Sequence, residues 1–121
     1  MVVGELNERQ ADEVFHALAD ATRRDILRRC GGEAPSVSGL AGAYPMSFAA
    51  VQKHVAVLER AGLVSKRRHG REQLVRTDPE AVARARRALD RLEEEWRGRV
   101  GRMSALLDAG PEPNEARRGN R

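Results

Sequence analysis

Aromatic residues and cysteine are scarce in this chain of 121 residues. Aromatic residues make up only 3% of it, so a core must be built from Leu, Val, Ala and Ile. A single cysteine excludes an internal disulfide bond. The length predicts one domain, and small domains with modest cores often gain stability by pairing with a second chain.

Long apolar runs are absent as well. No stretch approaches the roughly 18 consecutive apolar residues that a membrane-spanning helix needs. The opening residues, MVVGELNERQ, lack the basic end followed by an apolar segment that is typical of a secretory signal. Together with the single cysteine, these absences predict a cytoplasmic protein with no membrane partner.

The motifs of common enzyme classes are also missing. The chain contains no phosphate-binding loop, no nucleophile elbow and no metalloprotease motif. The residues that could ligate a metal show no ligand spacing; they are His16, Cys30, His54 and His69. We therefore expect no catalytic residues, no metal site and no cofactor.

Positive charge is present and unevenly distributed. Residues 47–77 hold seven cations and two acids, a net charge of +5, whereas the other residues hold 15 cations and 16 acids, a net charge of −1. A basic excess confined to one segment is typical of a surface that binds a polyanion, most commonly DNA. A merely solvated basic surface is the alternative.

Apolar spacing and capping residues predict four helices in the first half of the chain. Their ranges are 8–18, 21–30, a short segment around 37–41, and about 47–61. The predicted N-caps are Asp20 for the second, Ser36 or Ser38 for the third, and Ser47 for the fourth.

The fourth helix has two different faces. Val51, Val55 and Leu58 form one narrow apolar face. Ala49, Lys53, Ala56 and Arg60 point the opposite way, and Gln52 lies at the border. This helix is therefore expected to pack on one side and to expose small and polar residues on the other.

The second half of the chain predicts a hairpin and a long helix. The segments LVSKRRH and EQLVRT are two short strands within about 63–77, joined by a loop of three to five residues around Gly70. Asp78 and Pro79 begin a helix over about 79–107. Residues 110–121 have almost no apolar side chain and are predicted to be a disordered tail.

Apolar residues of the last helix recur at a spacing of three to four, which indicates a helix–helix seam. They are Val82, Ala85, Leu89, Leu92, Trp96, Met103 and Leu106, with Val100 beside the one exception at Arg99. Such a helix is about 45 Å long. Because that length exceeds a domain of this size, a partner chain is the favoured occupant of the seam, and packing within one chain is the alternative.

The predicted order of elements is that of a winged helix-turn-helix: mainly α, with a small β-hairpin as the wing. The turn GAYPMS precedes residues 47–61 as the recognition helix. The stretches FHALADATRRDILRRC, SVSGLAGAYPMSFAAVQKHVAVLERAGLV and SKRRHGREQLVRTDPEAV resemble the ArsR/SmtB-type repressors. The resemblance covers roughly residues 10–107. One departure is Ala21, where many relatives carry Pro.

The resemblance implies a homodimeric transcriptional repressor that binds a near-palindromic operator on double-stranded DNA, with a DNA-binding and dimerisation domain over 1–109. The first and last helices would then form the dimer interface, through Val14, Phe15, Leu18, Leu89, Leu92, Trp96, Val100 and Met103. Many relatives sense metals through Cys on the third helix or His and acids on the last. This chain has no Cys or His on its third helix and no His on its last helix. The resemblance therefore implies a regulator without a metal effector. The strong preference for Arg (20) over Lys (2) fits a GC-rich genome, and thus a bacterial source.

Residues that would contact DNA follow from the chemistry of the grooves. Small side chains let a helix approach the bases, Gln52 can pair with adenine, and Lys53 can reach guanine or a phosphate. Cations of the wing would follow the backbone or enter a minor groove. The full set is Ser47, Phe48, Ala49, Ala50, Gln52, Lys53, His54, Arg67, Arg68, His69 and Arg71, with Arg23 added as a phosphate contact by its family position.

Three alternatives stay open at this point. His54 is either a half-buried structural residue or a phosphate contact. Cys30 is either a buried apolar residue or a redox-sensing thiol whose pKa Arg28 and Arg29 would lower. The winged helix could also serve protein–protein contact or RNA binding.

Overall fold

The structure is a computed structural model that describes residues 5–108. Within this range it contains five helices and one hairpin, which confirms the mainly helical fold class with a small hairpin. They are α1 (Glu8–Leu18), α2 (Ala21–Arg29), α3 (Val37–Ala41), α4 (Phe48–Arg60), β1 (Val64–His69), β2 (Glu72–Thr77) and α5 (Pro79–Asp108). The predicted tail, 110–121, lies outside the described residues. The chain divides into two compact units between Arg86 and Arg87, inside α5.

Polar side chains cap the N-termini of the first four helices. Asn7 and Gln10 form a capping box on α1, in which each side chain accepts a hydrogen bond from the backbone N–H of the other. Asp20, Ser36 and Ser47 cap α2, α3 and α4, and each accepts from the N–H three residues later. Of the two serines predicted as possible N-caps of α3, Ser36 is the one that caps it. The sequence did not predict the capping box on α1.

Aliphatic side chains form the core of the first unit, as the shortage of aromatic residues requires. Its largest fully buried members are Ile26, Leu40, Leu58, Leu63, Val14, Val51, Val55, Val75 and Cys30. Val14 is only 1% exposed, because α1 packs this residue against the same core as α2 and α4. Val14 is therefore part of the core of its own chain, whereas the sequence placed it in the dimer interface. Phe15 and Leu18 are partly buried against that core.

The hairpin pairs β1 with β2 in antiparallel register, from Val64 opposite Thr77 to His69 opposite Glu72. Its loop is Gly70-Arg71, which is shorter than the predicted three to five residues. Gly70 has φ of +65°, and glycine at the first loop position suits a tight two-residue hairpin turn. Its positive φ allows the strands to run on as far as the residues that flank the loop.

The base of the hairpin is tied to the helices by hydrogen bonds. Ser36 forms a β-bridge with Leu74, and the N–H of Val75 donates to the carbonyl of Pro35 at 2.9 Å. The hydroxyl of Thr77 donates to the carbonyl of Leu27 at 2.9 Å. The start of α3 and the end of α2 therefore set where the wing leaves the helical body.

The second unit comprises the part of α5 beyond Arg86. Along this helix a row of large apolar side chains is exposed, each by more than 40%: Leu89, Leu92, Trp96, Val100, Met103, Leu106 and Leu107. Most of them are the residues of the predicted seam. None of the helices within residues 5–108 is long and apolar enough to cross a membrane.

Candidate nucleic-acid interface

The two faces of α4 are those that its spacing predicts. Val51, Val55 and Leu58 are at most 1% exposed and anchor the helix in the core. On the other side Ala49, Gln52 and Lys53 are exposed to solvent. Because alanine adds only a methyl group, the backbone of α4 is open to close approach by a ligand surface at this point.

The end of α4 sets the direction in which the wing begins. The N–H of Leu63 donates to the carbonyl of Leu58 at 3.0 Å, and the N–H of Gly62 donates to that of Glu59 at 2.9 Å. This pair of bonds is a Schellman motif, which needs the left-handed conformation that Gly62 adopts with φ of +79°. Leu63 is fully buried and holds the turn in the core.

The cations of the wing are exposed. Arg67, Arg68, His69 and Arg71 all lie exposed to solvent near the tip of the hairpin. Lys66 differs from them, because its ammonium lies 3.3 Å from the carboxylate of Glu59 on α4. This ion pair links the wing to α4, and the sequence pattern did not predict it because the two residues lie on different elements.

A cleft of about 260 Å³ separates the wing from α3 and the first half of α4. Phe48 and Gln52 line it from α4, Val37 from α3, and Lys66 and Arg71 from the hairpin. Phe48 is 48% exposed. The chain has only two phenylalanines, and this one lines the cleft and is not part of the core. The cleft brings the predicted base-contacting side of α4 and part of the basic wing onto one concave surface.

The turn between α3 and α4 is held onto α2 by the single tyrosine of the chain. The hydroxyl of Tyr44 donates to the carboxylate of Asp25 at 2.6 Å, and the guanidinium of Arg29 lies 5.3 Å from the centre of the ring. The hydrogen bond from Tyr44 is the main cause that lowers the pKa of Asp25, followed by that from Arg29. Burial, and then the bond to Asp25, raises the pKa of Tyr44 to about 12.

The sequence did not predict this contact. A tyrosine in a short turn between two helices is a weak signal that its hydroxyl has a buried or charged partner. The partner lies 19 residues earlier in the chain. Spacing along the sequence therefore cannot identify it.

Arg23 is turned toward the protein. Its Nε donates to the carbonyl of Ala17 at 2.8 Å, and its Nη2 donates to that of His16 at 3.1 Å, at the end of α1. Its Nη1 lies 3.1 Å from Nδ1 of His54 on α4. The side chain predicted to bind a phosphate thus has a protein partner for every guanidinium nitrogen, and His54 is the half-buried residue that one alternative described.

Cys30 is fully buried at the end of α2. Burial raises the pKa of its thiol to about 11. The neighbouring Arg28 and Arg29 form ion pairs with Asp25 instead. These surroundings favour an inert thiol over a redox sensor.

Within residues 5–108 no group of three or more His, Cys, Asp or Glu side chains is placed to share a metal ion. The absence of a metal effector stays a prediction for the chain as a whole.

Comparison with known proteins identifies the fold and the family. A family model for a helix-turn-helix domain matches residues 18–67. The HTH-type transcriptional regulator Rv2034 of Mycobacterium tuberculosis is 36% identical over 101 residues, which cover 84% of this chain and 92% of the relative.

Solved structures with a similar fold are transcriptional regulators as well. An ArsR-like transcriptional regulator from Rhodococcus sp. RHA1 superimposes with a TM-score of 0.73 and 33% identity, over 86% of this chain and 96% of the other. The homodimeric winged helix-turn-helix DNA-binding domain from Mycobacterium bovis has a TM-score of 0.59 and 27% identity, over 78% of this chain and 92% of that one. This chain therefore belongs to the ArsR family of winged helix-turn-helix transcriptional regulators.

Proposed function

We propose that this regulator is a dimeric repressor that binds a near-palindromic operator and uses no metal effector. One observation carries the proposal. The exposed Ala49, Gln52 and Lys53 of α4 stand beside a wing whose cations are exposed and, among residues 5–108, largely without acidic partners. Small and polar groups on a helix next to a basic hairpin are the chemistry that base edges and phosphates require.

The residues of α4 take three roles. Gln52 reads an adenine through its amide, and Lys53 reads a guanine or neutralises a phosphate. Ala49 and Ala50 allow close approach, and their methyl groups contact thymine. At the start of the helix, the backbone N–H groups near Ser47 and Phe48 favour a phosphate.

The wing supplies charge. Arg67, Arg68, His69 and Arg71 follow the phosphate backbone or enter a minor groove. This term strengthens binding to any DNA, whereas the bases that α4 contacts decide the sequence.

The dimer forms through the exposed apolar row of α5. Leu89, Leu92, Trp96, Val100 and Met103 are largely exposed along one helix, and an exposed row of this kind is typical of an interaction surface. Phe15 and Leu18 of α1 are the further proposed contacts. The homodimeric domain from Mycobacterium bovis supports the same assembly here.

Repression would be steric. A dimer places two recognition helices in successive major grooves, about 34 Å apart, and so favours an operator with twofold symmetry. A dimer bound at a promoter excludes RNA polymerase. The compartment of this activity is the cytoplasm, where bacterial chromosomal DNA lies.

The test is a selection of genomic fragments by the purified protein at physiological salt, followed by titration of the preferred fragment and measurement of the mass of the complex. We expect a near-palindromic site, bound by two chains at least tens of times more tightly than random DNA. Salt-sensitive binding without sequence preference would overturn the operator-specific repressor and favour an architectural or RNA-binding role.

A further inference from the structure

Of the two ring nitrogens of His54, one contacts the protein and the other is available to a ligand. A guanidinium donates hydrogen bonds and accepts none. The contact of 3.1 Å between Nη1 of Arg23 and Nδ1 of His54 therefore requires Nδ1 to be the acceptor. The proton of the neutral ring then lies on Nε2, since the bond made by one ring nitrogen decides the state of the other.

The remaining nitrogen has no partner among the described residues and is not fully buried. Nε2 of His54 makes no hydrogen bond to any of the residues 5–108, and it is not among their buried atoms without a partner. His54 directly follows the exposed Lys53 on α4. The ring of His54 is half-buried and hydrogen-bonded at Nδ1. Both restrict its rotation, and with it the direction in which Nε2–H points.

Arg23 is itself held firmly. Two of its nitrogens donate to the carbonyls of Ala17 and His16 in the last turn of α1, at 2.8 and 3.1 Å, and its backbone N–H donates to the Asp20 cap of α2 at 3.1 Å. Only the third nitrogen reaches His54. The positive guanidinium behind the ring also polarises Nε2–H and makes it a stronger donor toward an anion.

We propose that His54 donates from Nε2 to a DNA phosphate as a neutral group, and that Arg23 is the positioning residue that selects this tautomer and orients the ring. The proposal rests on the proposed function, since it needs DNA on α4. It reassigns Arg23, which the family position suggested as a phosphate contact of its own. It also combines the two alternatives for His54, a structural residue and a phosphate contact, because the structural hydrogen bond at Nδ1 leaves the proton on Nε2 for the phosphate.

Salt dependence separates a neutral donor from a cation. A cation at a phosphate releases counterions, so its removal lowers the slope of log K against log salt by about 0.9 per contact, whereas loss of a neutral donor leaves the slope unchanged. We expect His54→Ala to weaken binding on the order of tenfold per contact, equally for operator and random DNA, at constant slope. Arg67→Gln is the control that should lower the slope.

A double-mutant cycle tests the role of Arg23. Arg23→Gln should weaken DNA binding in the wild type and have little further effect in the His54→Ala variant, again at constant slope. An effect that persists with His54→Ala and lowers the slope would make Arg23 a direct phosphate contact and overturn the proposal. So would normal DNA binding by a folded Arg23→Gln variant.

A second pair of variants leaves Arg23 and its bonds to α1 untouched. The amide of glutamine can reach the region of Nε2, whereas that of asparagine reaches only the region of Nδ1. His54→Gln should therefore bind DNA several times more tightly than His54→Asn, with thermal unfolding as the check that both fold. Equal affinities would overturn the Nε2 contact. If the wild type itself binds no DNA, the proposed function fails, and this inference with it.

Discussion

At the scale of single residues, the candidate site depends on a few side chains whose surroundings decide their chemistry. Gln52 and Lys53 are exposed to solvent and available to a ligand. Arg23 and Tyr44 are instead held by hydrogen bonds to neighbouring elements, and Cys30 is buried.

Replacing Gln52 by alanine should relax the sequence preference at one base pair in each half-site. Loss of two hydrogen bonds to a base edge costs about 1–3 kcal/mol of discrimination. The measurement is a competition titration of operators that differ at single positions. Unchanged discrimination at every position would contradict the assigned role, and Asp12→Ala, at an exposed position on α1, is the control for general disturbance.

Cys30 should be unreactive in the folded protein. With a pKa raised to about 11 from the ordinary 9.0, its thiolate fraction at pH 8 is about a hundredfold lower than that of a free thiol, and burial excludes the reagent as well. We expect slow alkylation that speeds up as pH rises, measured by mass spectrometry against the urea-unfolded chain. Equal rates in the folded and unfolded chain would revive the redox alternative.

At the scale of elements, contacts with three helices hold the wing in position. Its base is bonded to the end of α2 and the start of α3, and Lys66 connects its first strand to α4. Its tip depends on the positive φ of Gly70. The arginines near that tip are therefore carried by a hairpin whose position is defined.

Arg67→Gln and Arg68→Gln should each lower the salt slope of DNA binding by about 0.9 per chain and weaken binding to all sequences alike. The measurement is affinity at a series of salt concentrations for operator and random DNA. Arg97→Gln, which removes a cation paired with Glu93 on α5, is the matched control. A slope unchanged by both wing variants would show that the wing does not neutralise phosphates.

Gly70→Ala should disturb the hairpin, because the left-handed conformation costs a residue with Cβ about 1–2 kcal/mol. Gly70→Asn should be tolerated better, since asparagine adopts this conformation more readily. A Cβ at this position would meet no neighbouring atom of residues 5–108 within 4 Å, so any penalty is conformational and not steric. The free energies of unfolding of the two variants in urea would check the order.

At the scale of the whole molecule, the protein needs a second chain if it is to read a symmetric operator. The exposed apolar row of α5 supplies the surface for one, and Trp96, with 61% of its surface exposed, is its largest member. Aromatic residues of this kind carry much of the energy of protein interfaces.

Trp96→Ala should shift the chain toward monomers and raise the dissociation constant of the dimer by tens of times or more, since interface hot spots cost about 2 kcal/mol or more. Sedimentation equilibrium over a range of concentrations measures this shift. Glu94→Ala, at an exposed position on the same helix, should leave the dimer unchanged. A Trp96→Ala variant that remains fully dimeric would place the interface elsewhere.

The sequence alone determined the elements and their order. Apolar spacing, the caps Asp20 and Ser47, and Gly70 are local signals, because hydrogen bonds within a helix turn or a hairpin join residues close in the chain. The resemblance to ArsR-type regulators rested on these same stretches. Only the tertiary structure showed that Val14 is core, that Tyr44 bonds Asp25, and that Arg23 bonds His54 across 31 residues. Contacts between elements depend on how helices pack, and no periodicity along the chain records which polar groups then meet.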